Sequence, residues 1–176
     1  MREQKSMTGS TVARAIGIAA MGLAAGFSAP SALAQGLVTS HRVSSVLAGE
    51  LVTGAVAACK DQGYNVTATL VDIDGVRQAM LRGDGAGVAT LDVSNDKAYT
   101  AMTTRTDTGV LVERAKTTPP SQIVLKEPHM LLAQGAIVVK IGEEYVAALG
   151  VSGAPGGDKD EACARAALDK VADRLK

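Results

Sequence analysis

Gly150-Val151-Ser152-Gly153-Ala154-Pro155-Gly156-Gly157-Asp158-Lys159-Asp160-Glu161-Ala162-Cys163-Ala164 decides the fold of this chain. It reads as the end of a strand, a glycine-rich turn and the start of a helix. Small residues permit a tight backbone bend, and Asp158 or Asp160 is placed to cap the free N–H groups that follow. Acidic residues in a first turn also suit the positive end of the helix dipole. Working outward, the helix is expected to run from Asp158 to about Leu175, burying Ala164, Leu168, Val171 and Leu175. Upstream, Tyr145 to Val151 pairs with Leu131 to Lys140 as a hairpin around Ile141-Gly142-Glu143-Glu144.

The N-terminal half repeats this grammar. Residues 41–62 carry Val43, Val46, Leu47, Leu51 and Ala58 on one helical side and stop at Gly63. Asn65 to Asp72 alternates, with Val66, Ala68 and Leu70 opposed to Thr67 and Thr69, and Val76 to Arg82 returns after the turn Asp72-Ile73-Asp74-Gly75. Helical stretches follow from Ala89 to Thr103 and from Gly109 to Lys116, ended by Thr117-Thr118-Pro119-Pro120. Helix, hairpin, helices, hairpin, helix is the order of an α+β fold: an antiparallel sheet with helices packed on it.

Several strings carry a family resemblance. They are the Gly150–Ala164 stretch, Val71-Asp72-Ile73-Asp74-Gly75, Met80-Leu81-Arg82-Gly83-Asp84-Gly85-Ala86 and Asp96-Lys97-Ala98-Tyr99-Thr100-Ala101. In this order and approximate spacing they resemble the GlcG/HbpS-like haem-binding family, also called the haem-degrading domain family. The resemblance runs from about His41 to Leu175. It implies a profilin-like sandwich that assembles into homo-oligomers and binds haem. One departure is plain: the family often carries a Gly-Gly-x-Pro turn where this chain reads Gln134-Gly135-Ala136-Ile137.

The first 34 residues read as a secretory signal peptide. Arg2, Lys5 and Arg14 precede an apolar run from Ala15 to Phe27, and Ala32-Leu33-Ala34 fits a small-x-small cleavage site before Gln35. The run is too short and too rich in Gly and Ala for a membrane of about 30 Å. The mature domain is then residues 35–176, periplasmic or secreted, with 15 basic and 17 acidic side chains. Without a basic stripe, and with three tyrosines as its aromatics, it has neither the electrostatic footprint nor the stacking platform of a nucleic-acid binder.

Cys59 and Cys163 both fall at the flank of a helical apolar face. In an oxidising compartment they form a disulfide if their helices pack side by side; the alternative is two buried thiols. No C-x-x-C pair is present, so redox catalysis is not indicated.

Candidate ligand residues are few. His129 stands in Glu127-Pro128-His129-Met130, before a strand, where an imidazole or thioether could ligate haem iron. His41 opens the first helix and could reach a neighbour's pocket in an oligomer. Arg105, in the run Thr103-Thr104-Arg105-Thr106, could pair with a haem propionate, and Thr108 could donate or weakly ligate from the same segment. Arg82 is a second propionate candidate, with an ion pair to Asp84 as its simpler role. Asp92 with Asp96, and Asp158, Asp160 and Glu161, form acidic clusters that could take a hard cation but more simply make a solvated face and a helix cap.

The leading expectation is a secreted, non-catalytic haem-binding protein for haem or iron sequestration or accessory sensing. An enzyme degrading haem or acting on a small organic acid is the alternative from another class. No Ser, Cys or Lys has a visible activating partner. A structural oligomer without a small ligand is the third reading.

Overall fold

The structure, a computed structural model, describes residues 36–120 and 126–175. The signal peptide expected over residues 1–34 lies outside the described residues. The domain is the compact unit Val38–Lys176.

Four antiparallel strands form its sheet, in the order β2-β1-β4-β3: β1 Thr67–Asp72, β2 Arg77–Arg82, β3 Ala136–Ile141 and β4 Glu144–Ser152. The helices are α1 Ser45–Lys60, α2 Thr90–Thr104, α3 Thr108–Ala115 and α4 Gly157–Asp169, with a short 3-10 turn at Ala172–Arg174. The fold is α+β, as the alternation of hairpins and helices predicts.

The α1 helix begins at Ser45, four residues later than its apolar pattern indicates, because the Ser44 hydroxyl accepts from the Leu47 N–H at 3.2 Å and caps it there. His41 and Arg42 therefore precede the helix. Its buried stripe of Leu47, Leu51, Val52 and Ala55 joins Ala164 and Ala167 of α4 against Ala68, Leu70, Val146 and Leu149 of the sheet. Cys59 and Cys163 are bonded, with Cα atoms 5.4 Å apart, tying α1 to α4 across 104 residues of chain. A cross-link closing so long a loop stabilises by up to about 4–5 kcal/mol.

The other sheet face was expected to be the polar side of β1. It is buried as well, because α2 lies across it. The strand's hydroxyls meet hydroxyls of the helix: Thr67 pairs with Thr90, and Thr69 with Ser94, each at 2.7 Å. Small side chains permit this approach. A methyl group at Gly150 would collide with the Ser94 carbonyl oxygen and the Ala98 nitrogen. The two helical layers thus differ in kind, an aliphatic one under α1 and α4 and a hydroxyl-and-alanine one under α2.

Two further boundaries differ from the apolar pattern. The segment from Leu131 is no strand until Ala136: the Leu131 N–H goes to the Thr100 hydroxyl at 2.7 Å, and Gly135 turns the chain at φ 134°. The last helix ends at Asp169 rather than near Leu175, and its cap residue is Gly156, with no side-chain hydrogen bond from Asp158 or Asp160. Asp160 does something stronger. Its carboxylate accepts from the Lys97 ammonium at 2.8 Å and from the Ala154 N–H at 2.9 Å, and Lys97 also donates to the Val151 carbonyl at 3.1 Å. Both side chains are buried, at 4% and 3% exposure. Burial pushes the Asp160 carboxyl upward, and the ammonium beside it pulls the other way.

Removing one partner of such a pair strands a charge in the interior. Lys97→Met is expected to cost about 3–5 kcal/mol in urea unfolding, and Lys97→Met combined with Asp160→Leu to recover most of that loss. A single variant as stable as the parent would show that the pair is not holding the layers together.

Candidate functional site

Because α2 crosses β1 and β4 and leaves edge strand β2 uncovered, a groove of about 570 Å³ opens between the helix and the first hairpin. Asp92, Asn95, Asp96 and Tyr99 line it from α2, at helical spacings that put them on one face. Gly75 and Arg77 line it from the β1–β2 hairpin, and His129 closes one side. The turn is shaped for this. Asp72 accepts from the N–H groups of Asp74 and Val76, and Gly75, at φ 77°, packs where a side chain would press on the Tyr99 ring.

His129 is the only imidazole in the groove. Its Nδ1 lies 3.1 Å from Asp96 Oδ1, and its ring meets the Tyr99 ring edge-on, with centroids 6.1 Å apart. The side chain is 66% exposed, and Nε2 makes no hydrogen bond to a described residue. The neighbouring Met130 lines a different space. That apolar cavity of about 220 Å³ lies between α2, α3 and Leu131–Leu132, with Arg114 among its lining residues. Imidazole and thioether, adjacent in sequence, therefore line different spaces.

The remaining candidates are dispersed. Arg105 ends α2 in the left-handed conformation, φ 50°, with its guanidinium 5.8 Å from the centroid of the Tyr145 ring. Thr108 is fully buried, and its hydroxyl accepts from the Ala136 N–H at 2.9 Å. Arg82 makes no ion pair with Asp84. It donates through Nε to the Ala86 carbonyl at 2.8 Å and through a terminal nitrogen to the same oxygen, closing the Gly83–Gly87 loop on itself. His41 stands at the tip of the second hairpin, where its Nδ1 lies 2.6 Å from the Glu144 carboxylate and its N–H donates to the other oxygen at 2.9 Å.

The acidic clusters also separate. Asp160 belongs to Lys97, and Glu161 accepts from Arg165 at 2.5 Å and from Gln134 at 3.2 Å. Asp92 and Asp96 alone among these face the groove. Tyr99 and Arg77 had not been singled out from the sequence. The i, i+3, i+4, i+7 spacing of Asp92, Asn95, Asp96 and Tyr99 is a signal that could have found the helical part; nothing local marks Arg77 as its neighbour.

The sequence profile of the family described as haem degrading protein HbpS-like matches residues 43–169. The chain belongs to that family. It is similar to the crystal structure of HbpS, with 32% identity and a TM-score of 0.73 over 80% of this chain and 98% of that one. A double mutant of Streptomyces reticuli HbpS gives 31% and 0.72 over 90% and 99%. A crystal structure of a PduOC–haem complex shares the fold, at 19% identity and a TM-score of 0.67 over 73% of this chain and 94% of that one. No curated protein matches the sequence at a significant level. No described helix is long and apolar enough to cross a membrane.

The His41 contact makes a pH signature. Hydrogen bonds from the His41 ring and N–H hold the Glu144 carboxyl below its ordinary value of 4.5. A depressed folded value contributes stability above the unfolded value and loses it as pH falls through the folded one. The stability difference between the parent and Glu144→Gln is expected to be largest near pH 7 and to shrink toward about pH 3, read from urea midpoints. A difference that grows on acidification would contradict this contact.

Proposed function

We propose that the chain is an exported haem-binding protein that holds haem for sequestration or accessory sensing, with His129 as the residue facing the iron. The observation that carries this reading is the exposed imidazole in the α2–β2 groove, whose Nδ1 is held by Asp96 while Nε2 has no hydrogen bond among the described residues. Membership of a haem-degrading family and the haem named in the PduOC complex support haem as the ligand.

The groove offers haem a donor and room, but its lining, with two carboxylates and an amide, is mostly polar and does not match the apolar faces of the macrocycle. A single neutral imidazole is a common axial ligand, Tyr99 offers a ring to the macrocycle, and Arg77 offers a guanidinium to a propionate. Its volume of about 570 Å³ lies within the usual range of small-ligand sites. When bound, haem supplies an iron with open coordination and redox chemistry of its own. What this chain supplies is a donor atom, a counter-charge and one wall.

An open groove covers one face, so the reading includes a homo-oligomer in which a second copy covers the other. Arg82, Arg105 and His41, which lie elsewhere on the surface, act in this arrangement only across such an interface. Thr108, buried on Ala136, braces α3 rather than meeting the ligand. With His129 committed to the iron, the groove keeps a phenol, an amide, two carboxylates and a guanidinium, groups suited to retention.

Titrating the mature protein with ferric haem is expected to give a saturable, red-shifted Soret band near one haem per subunit. His129→Ala should weaken binding at least about tenfold, about 1.4 kcal/mol, and move the band. An unshifted spectrum in the parent would overturn the reading. Conversion of bound haem to open-chain tetrapyrrole on adding a reductant and oxygen would replace retention with degradation.

A further inference from the structure

We infer that the apolar cavity between α2, α3 and Leu131–Leu132 is a second ligand site, which takes a short-chain monocarboxylate with its tail inside and its head on Arg114. The cavity is separate from the groove of His129 and calls for no haem.

Its walls come from three places. Leu111 and Ala115 face it from α3, four residues apart on one side of that helix, and Met130 and Leu131 close it from the connecting segment. Thr100 and Thr104 reach it from α2, but their hydroxyls are spent within the chain. Thr100 donates to the Asp96 carbonyl and accepts from the Leu131 N–H, and Thr104 donates to the Thr100 carbonyl, each at 2.7 Å. Such walls give a water few partners and give a hydrocarbon chain many contacts. Thr100 is 2% exposed and marks the inner end, whereas Arg114 and Leu132 are exposed and mark the mouth.

Arg114 decides the class of ligand. The carboxylates near it in sequence and in space are taken by other cations: Glu113 by Lys116 at 2.6 Å, and Asp107 and Glu161 by Arg165. Arg114 forms no ion pair with a described residue. A guanidinium fork at the mouth of an apolar cavity matches a carboxylate head on an apolar tail. One cation balances one negative charge, which favours a monocarboxylate over a phosphate monoester. Size sets the tail length. The cavity of about 220 Å³ is smaller than the roughly 300–1,000 Å³ of drug-sized sites. At about 30 Å³ for a water-sized group, it holds a single chain of about seven carbons.

The test is calorimetric titration of the mature protein with butyrate, hexanoate, octanoate and dodecanoate. Each added methylene should tighten binding about fourfold, about 0.8 kcal/mol, as far as octanoate, and the gain should stop before dodecanoate. Arg114→Met, a change at an exposed position, should weaken octanoate at least about tenfold and leave the affinity for 1-octanol unchanged. Methyl NMR of the methionines locates the ligand: octanoate should shift the Met130 methyl and leave that of Met80, on β2, in place. An unmoved Met130 methyl, or no binding at any chain length, would overturn the proposal. Equal losses of octanoate and octanol in Arg114→Met would overturn the assignment of the head group. Octanoate binding that disappears as the protein self-associates would assign the cavity to a second copy of the chain instead. No arm involves haem, so this site and the groove stand or fall separately.

Discussion

The buried ion pair between Lys97 and Asp160 is the constraint on which the rest of the domain depends. It connects the middle of α2 to the loop leading into α4, and through the Val151 carbonyl to the end of β4. The α2 and α4 helices meet the sheet from opposite faces, so the hydrophobic clusters on the two faces stay separate. The pair joins them. Its cost is the desolvation of two charges, offset because each charge has further hydrogen bonds: Asp160 accepts from Ala154, and Lys97 donates to Val151. A pair so placed fixes the rotation of α2 about its axis as well as its position. Lys97 must face inward, so Asp96, about 100° away around the helix, must face elsewhere. That direction is the groove. Orientation of the candidate site is thus a consequence of the core's electrostatics.

Composition explains why the site is an open groove and not a deep pocket. Residues 35–176 hold three tyrosines, no tryptophan and no phenylalanine. The layer under α2 is closed by Ala98, Ala101, Ala136 and Ala148 together with a ladder of hydroxyl pairs. Small side chains bring backbones close, and close backbones leave no interior space for a ligand. The groove opens where α2 stops covering the sheet, one strand short of the β2 edge. The disulfide between α1 and α4 reinforces the opposite layer, so the face beside the groove need not carry the whole stability of the fold.

Much of this was legible in the sequence. The two hairpins, α2 and the apolar stripes of α1 and α4 follow from periodicity and turn residues, whereas the sequence leaves open whether α1 and α4 pack side by side and so whether Cys59 and Cys163 bond or stay buried thiols. What was not legible has one cause: a polar group satisfied by a partner far along the chain. Thr67 and Thr69 read only as the face opposed to Val66, Ala68 and Leu70, because Thr90 and Ser94 cannot be seen opposite them. Asp160 read as a helix cap because its partner, Lys97, lies 63 residues away. Arg82 read as the partner of Asp84, where the nearby Ala86 carbonyl takes it instead. For the site, His129 was legible as one of two histidines, but its neighbours Asp96, Tyr99 and Arg77 come from two other elements. The sequence does encode the face that Asp92, Asn95, Asp96 and Tyr99 share. It does not encode what that face meets.

The division of labour across the groove follows from rigidity. His129 sits on a connecting segment, which alone would place an imidazole loosely, since loops lack the repeated hydrogen bonds that hold helices. Asp96 and Thr100 sit on a helix locked by the neighbouring Lys97, and they reach the loop at its side chain and at its backbone. Precision is thereby transferred from the core to His129 through two short contacts. A donor held this way keeps its orientation while the outer side of the groove stays open to solvent or to a second subunit. The arrangement also explains how a histidine can occupy the left-handed region at 129, where glycine would be the unstrained choice: two anchors on α2 fix the backbone there, and the side chain they present is one glycine could not supply.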